Sequence, residues 1–97
     1  METFKIDYTF WQDNRLYSFV CHAECQWNDG SFYYSYGDIN AMQKDWGVEV
    51  EDIEYELDSS YNLEDLNLIL AYINKHQHLI KNTIGMEYSK KNPITSI

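Results

Sequence analysis

Apolar and polar residues alternate at the start of the chain. Phe4, Ile6, Tyr8 and Phe10 are separated by Lys5, Asp7 and Thr9. That period of two predicts a strand with one buried face. Gln12-Asp13-Asn14 supplies turn chemistry. Tyr17, Phe19, Cys21, Ala23 and Cys25 then alternate with Ser18, Val20, His22 and Glu24, which predicts a second strand. Asn28-Asp29-Gly30 signals a further hairpin, because glycine accepts the positive φ such turns need. Phe32, Tyr34 and Tyr36 mark a third strand, so the first three read as an antiparallel meander. Asp38 can cap a short helix running to about Asp45, with Gly47 as its stop.

A fourth strand is predicted from Val48 to Leu57. Its inward residues are Val48 and Val50, then Ile53, Tyr55 and Leu57. The parity changes in between, which places a β-bulge near Glu51-Asp52. From Leu63 to about Asn82 the apolar residues Leu63, Leu66, Ile69, Leu70, Ile73 and Ile80, with Ile84 beyond, follow helical spacing. Asn62 is the candidate N-cap, and Glu64 and Asp65 sit where the helix dipole favours acids. Lys75, His76, His78 and Lys81 gather toward the other end, and Gly85 is the expected stop. Residues 86–97 read as a tail or a weakly packed extension.

The expected architecture is α+β in a single domain spanning residues 1–97. About four antiparallel strands are covered on one face by one long C-terminal helix, with one short helix in addition. The order is β-β-β-α-β-α, and strand order within the sheet is not readable. No window approaches 18 apolar residues, the length a membrane-spanning helix needs. The opening residues lack the basic and apolar regions of a signal peptide.

Charge changes this picture more than composition does. The 97 residues are 44% hydrophobic and 16% aromatic, which suits a folded domain. The formal net charge is −9, which argues against direct binding of nucleic acid or an anionic membrane. The acidity is uneven. Residues 1–74 hold fifteen acids and three bases, whereas residues 75–97 hold one acid and four bases. Within residues 49–65 there are eight acids and no base: Glu49, Glu51, Asp52, Glu54, Glu56, Asp58, Glu64 and Asp65.

On a strand, residues i and i+2 lie roughly 6.5–7 Å apart. Glu49 and Glu51 share the outward face before the bulge, and Glu54 and Glu56 share it after. DNA carries one phosphate per about 3.4 Å of rise on each strand, along a longer winding path. A carboxylate at every second residue therefore approximates a phosphate row. Asp58, Glu64 and Asp65 could continue it around the corner onto the helix start. A charged strand face is often only a solvated face or a guard against edge aggregation. Crowded like charges nevertheless repel, and a surface needing solubility alone would intersperse lysines.

Catalytic and metal readings are weaker. Cys21 and Cys25 on one strand would have Cα atoms roughly 13 Å apart, beyond the limit of about 7 Å for a disulfide. Free thiols and a reducing, cytoplasmic setting are expected. Cys21, Cys25, His22, His76 and His78 include zinc-ligand types, but His22 would point away from both cysteines. On a helix His76 and His78 differ by about 200°. A cysteine nucleophile needs a lowered pKa, which acidic surroundings oppose. No phosphate loop, nucleophile elbow or HExxH motif is present. Neither an enzyme nor a cofactor or metal site is expected.

The length, the ladder Glu49–Glu56 and the opening METFKIDYTFWQDNRLYSF resemble phage-encoded, DNA-mimicking anti-CRISPR proteins that act on the type I-F (Csy) surveillance complex. The resemblance implies a protein of the host cytoplasm that occupies the basic groove where target DNA enters. It implies Cas subunits as partners, with no catalysis and no cofactor. These inhibitors share no common motif, so the resemblance transfers no residue roles. An immunity protein or antitoxin covering a toxin's cationic active site is the alternative, since it too would meet a basic groove.

Overall fold

The computed structural model describes residues 1–27 and 47–92. Five elements follow in order: β1 (Glu2–Gln12), β2 (Arg15–Trp27), β3 (Val48–Glu56), α1 (Leu63–Lys75) and α2 (Gln77–Lys91). The class is α+β. The three strands form an antiparallel sheet in the order β1-β2-β3, so the strand expected as the fourth pairs directly with β2. The strand expected at residues 32–36 and the short helix expected from Asp38 lie outside the described residues. Among the described residues, no helix is long and apolar enough to cross a membrane.

Local chemistry sets the two irregular points of the sheet. Asp13 and Asn14 have φ of 52° and 63°, between the paired residues Gln12 and Arg15. Two left-handed residues make a primed hairpin turn whose twist matches that of the strands, and Asp and Asn tolerate this conformation. On β3, Asp52 has φ 51°, and Asp52 with Ile53 opposes Ala23 alone. This is the expected bulge. The extra residue lets Val50, Ile53 and Tyr55 all face the core despite their change of parity.

The inner face is buried under both helices. Ile6, Tyr8, Phe10, Tyr17, Phe19, Cys21, Ala23, Cys25 and Val50 meet Ile69, Ile73, Ile80, Ile84 and Tyr88. Toward the β1–β2 turn the core is aromatic. Phe10 stacks on Tyr72 with ring centroids 3.8 Å apart, and the Tyr8 and Tyr72 hydroxyls are hydrogen-bonded at 3.0 Å. At the other end Phe4 meets Tyr88 edge-on at 5.4 Å. There Trp27 Nε1 donates to the Asn92 carbonyl at 2.6 Å.

The helical layer departs from expectation in two ways. The single helix expected from Leu63 to about Asn82 is two helices, joined at His76 with φ −117° and ψ 34°. The ring of His76 lies 4.4 Å from that of Tyr72. The break keeps α1 against β2 while α2 touches all three strands. Gly85 does not end the helix, and residues 86–91 are helical rather than a tail. The reason is tertiary: Gly85 is buried on the side of α2 that meets β3. A methyl group added to it would lie 3.7 Å from Val50 Cγ2 and 3.9 Å from Val48 Cβ, which is ordinary contact. Gly85→Ala should therefore fit and raise stability by roughly 0.5–1 kcal/mol through helix propensity and chain entropy. A higher urea midpoint is the expected reading, and a lower one would show that α2 lies closer to β3 than these distances allow.

Candidate functional site

The outer face of the sheet is the surface that the strand alternation leaves outside. The register sets Gln26 opposite Glu49, Glu24 opposite Glu51, His22 opposite Glu54 and Val20 opposite Glu56. Glu49, Glu51, Glu54 and Glu56 thus form a row on β3, interrupted only by the bulge. Glu51, Glu54 and Glu56 are exposed and Glu49 is half-buried, where its carboxylate accepts a 2.7 Å hydrogen bond from Gln26 Nε2.

Strand pairing adds a carboxylate that the linear reading missed. Glu24 lies directly across from Glu51 and accepts from the Thr3 hydroxyl at 2.9 Å. Like charges in directly opposed positions destabilise a sheet, so this pair works against folding. Pairing also brings in a hydrogen-bonding imidazole and a lysine, neither of which occurs in the acidic run itself. His22 Nε2 lies 3.2 Å from Glu56 Oε1. Lys5 is exposed on β1 opposite His22. The row is hydrogen-bonded at its Glu56 end and crowded at Glu24–Glu51.

The other expected acids are dispersed. Asp52 sits at the bulge on the sheet edge. It lines a shallow depression with His22, Glu24 and Glu54 on one side, and another with Gln77 and Lys81 on the other. Asp58 follows the strand and accepts from the Ser60 backbone N–H at 2.9 Å. Hydrogen bonds from the Ser60 backbone and side chain hold its carboxyl below the ordinary value. Glu64 is exposed on α1, in the layer behind the sheet. Asp65 is withdrawn from the surface altogether. It is 7% exposed, and its two oxygens take Arg15 Nη1 and Nη2 at 3.0 and 3.1 Å. Asn62 caps α1 by accepting from the Asp65 N–H at 2.8 Å, which holds Asp65 where the guanidinium at the hairpin end reaches it. The expected continuation of the row onto the helix start therefore does not form through Asp65.

The sulfur and imidazole groups lie apart. Cys21 and Cys25 are free and fully buried on the inner face, while His22 lies on the outer one. Burial pushes both thiols up to about 11, the direction opposite to that of a nucleophilic cysteine. His76 is held against Tyr72 at the helix junction, and His78 is exposed on α2. Among the described residues, no cluster of three or more His, Cys, Asp or Glu is arranged to hold a metal ion.

Comparison with known proteins identifies no relative: no family model, curated protein or solved structure matches the chain.

Proposed function

We propose that this chain is a small acidic protein inhibitor that mimics DNA. It lays the outer sheet face into the basic groove of a nucleic-acid-binding protein. The observation that carries the reading is the row Glu49, Glu51, Glu54 and Glu56, with Glu24 opposed to Glu51 at a cost to stability. Strand backbone sets successive outward residues on either side of the bulge roughly 6.5–7 Å apart, so the carboxylates approximate a phosphate row with only their side-chain rotamers left to order. A chain of formal charge −9 is repelled by DNA itself, which makes a cationic protein the partner. By resemblance of the opening segment, that protein is the type I-F surveillance complex in the host cytoplasm, with its Cas subunits blocked from loading target DNA. Binding is by surface complementarity, with no reaction and no cofactor.

The test uses the purified surveillance complex and its target DNA. The wild-type chain should bind the complex and compete with DNA, and its association should slow as salt rises. Reversing Glu49, Glu51, Glu54 and Glu56 to lysine, with folding checked by circular dichroism, should weaken binding by about tenfold or more. Unchanged affinity in that variant would sink the assignment of this face. Tight binding that leaves DNA loading intact would sink the mimicry.

A further inference from the structure

The two edges of the sheet differ in how they are protected. The β3 edge carries the bulge, the left-handed Asp52 and the acidic row, all features that discourage strand addition. The β1 edge has none of them. It is eleven residues long, without proline, bulge or positive φ. Among the described residues β2 is its only strand neighbour.

Hydrogen-bond parity fixes what this edge presents. In a two-residue hairpin the residues flanking the turn bond to each other, and bonded positions alternate from there. Gln12 opposite Arg15 therefore turns the even-numbered residues of β1 toward β2. The N–H and C=O groups of Thr3, Lys5, Asp7, Thr9 and Trp11 face outward from the edge. The same parity sends the Ser18 N–H of β2 away from β1, and there it donates to the Tyr61 hydroxyl at 3.0 Å.

The outer-face side chains of this edge select one partner and one register. Lys5 and Asp7 are both exposed. A second β1 strand running antiparallel can be centred on Lys5, Ile6 or Asp7. Centring on Lys5 opposes two lysines, and centring on Asp7 opposes two aspartates. Centring on Ile6 opposes Lys5 with Asp7 twice, Thr3 with Thr9 twice and, on the inner face, Ile6 with Ile6. Opposite charges in directly opposed positions stabilise a strand pair, and like charges destabilise it. Lys5 and Asp7 oppose each other only in the register centred on Ile6, so their charges favour that register over the others. Thr83, Glu87 and Lys91, one stripe of α2, flank it with both signs of charge.

We propose that the β1 edge docks a second copy of this chain, antiparallel and centred on Ile6, to join the three described strands of each copy into one continuous sheet. This proposal does not rest on the inhibitor reading. Sedimentation of the wild-type chain from micromolar to millimolar concentration should show a monomer–dimer equilibrium. Lys5→Asp and Asp7→Lys should each weaken dimerisation by about tenfold or more, with circular dichroism unchanged because both positions are exposed. The double variant Lys5→Asp/Asp7→Lys restores opposite charges and should dimerise as the wild type does. Asp7→Asn, which removes the attraction without adding repulsion, should fall between. A wild-type chain that stays monomeric, or a dimer indifferent to either single reversal, overturns the proposal. Single reversals that weaken a dimer which the double variant does not recover overturn the register.

Discussion

Replacing Ile84 with alanine should cost about 2–5 kcal/mol and lower the melting temperature by roughly 10 °C or more. Ile84 is completely buried. The argument for a large effect lies in the rest of α2. Its sequence, QHLIKNTIGMEYSKK, is mostly polar, and its buried residues are only Ile80, Ile84, Gly85 and Tyr88. With so narrow a stripe, no neighbouring apolar residue takes over when one is truncated. Gly85, next to it in the helix, supplies no side chain to refill a cavity. A domain of this size is held by about 5–15 kcal/mol in total, so one truncation removes a large share. Leu79→Ala is the internal control, because Leu79 is 51% exposed and should change stability by only about 0.5 kcal/mol. Urea unfolding of the two variants side by side separates them. Equal losses would mean that α2 is not held to the sheet by this stripe.

The weakness that makes Ile84 important also hid α2 in the sequence. The three strands were legible because period-two alternation runs through β1 and β2 and on either side of the bulge in β3. The bulge was legible because Val50 and Ile53 break parity, and the α1 cap because Asn62 precedes an acidic first turn. The path of α2 was not. Gly85 reads locally as a stop, and only its seat against Val48 and Val50 explains a helix that passes through it. The break at His76 likewise depends on where the second helix must lie across the sheet. Strand order had no local signal at all.

The site divides along the same line. The outward direction of Glu49, Glu51, Glu54 and Glu56 follows from alternation on one strand. Glu24 joins them only through the pairing of β2 with β3. The inward parity of Cys25 already implied that Glu24 points out, and this was the available signal. Asp65 went the other way, because its partner Arg15 lies fifty residues earlier in the chain. Lys5 and the hydrogen bond from His22 to Glu56 reach the row from neighbouring strands, which a count along residues 49–65 could not register.

Stability should hold to about pH 9 and then fall steeply, with the core thiols as the main cause. Burial raises Cys21 and Cys25 from the ordinary value of 9.0 to about 11, with Glu24 adding repulsion at Cys25. Both groups stay protonated in the folded chain at pH values where the unfolded chain releases their protons. The folded state therefore binds more protons between about pH 9 and pH 11, and stability falls with rising pH throughout that window. Below it both states are protonated, and the contribution is fully present. Two thiols each raised from 9.0 to about 11 correspond to a loss on the order of 5 kcal/mol. Tyr8, Tyr55 and Tyr88 add to the slope, since burial raises each of them as well. Urea midpoints measured from pH 7 to pH 11 read the effect directly. The variant Cys21→Ala/Cys25→Ala should start lower, because two buried side chains are shortened, and its curve should be flatter, leaving only the tyrosine contribution. If its slope matched that of the wild type, the thiols would not be the groups that titrate. The same burial should protect them kinetically: alkylation at pH 8 should be at least about a hundredfold slower in the folded chain than in urea, because the thiolate is the reacting form.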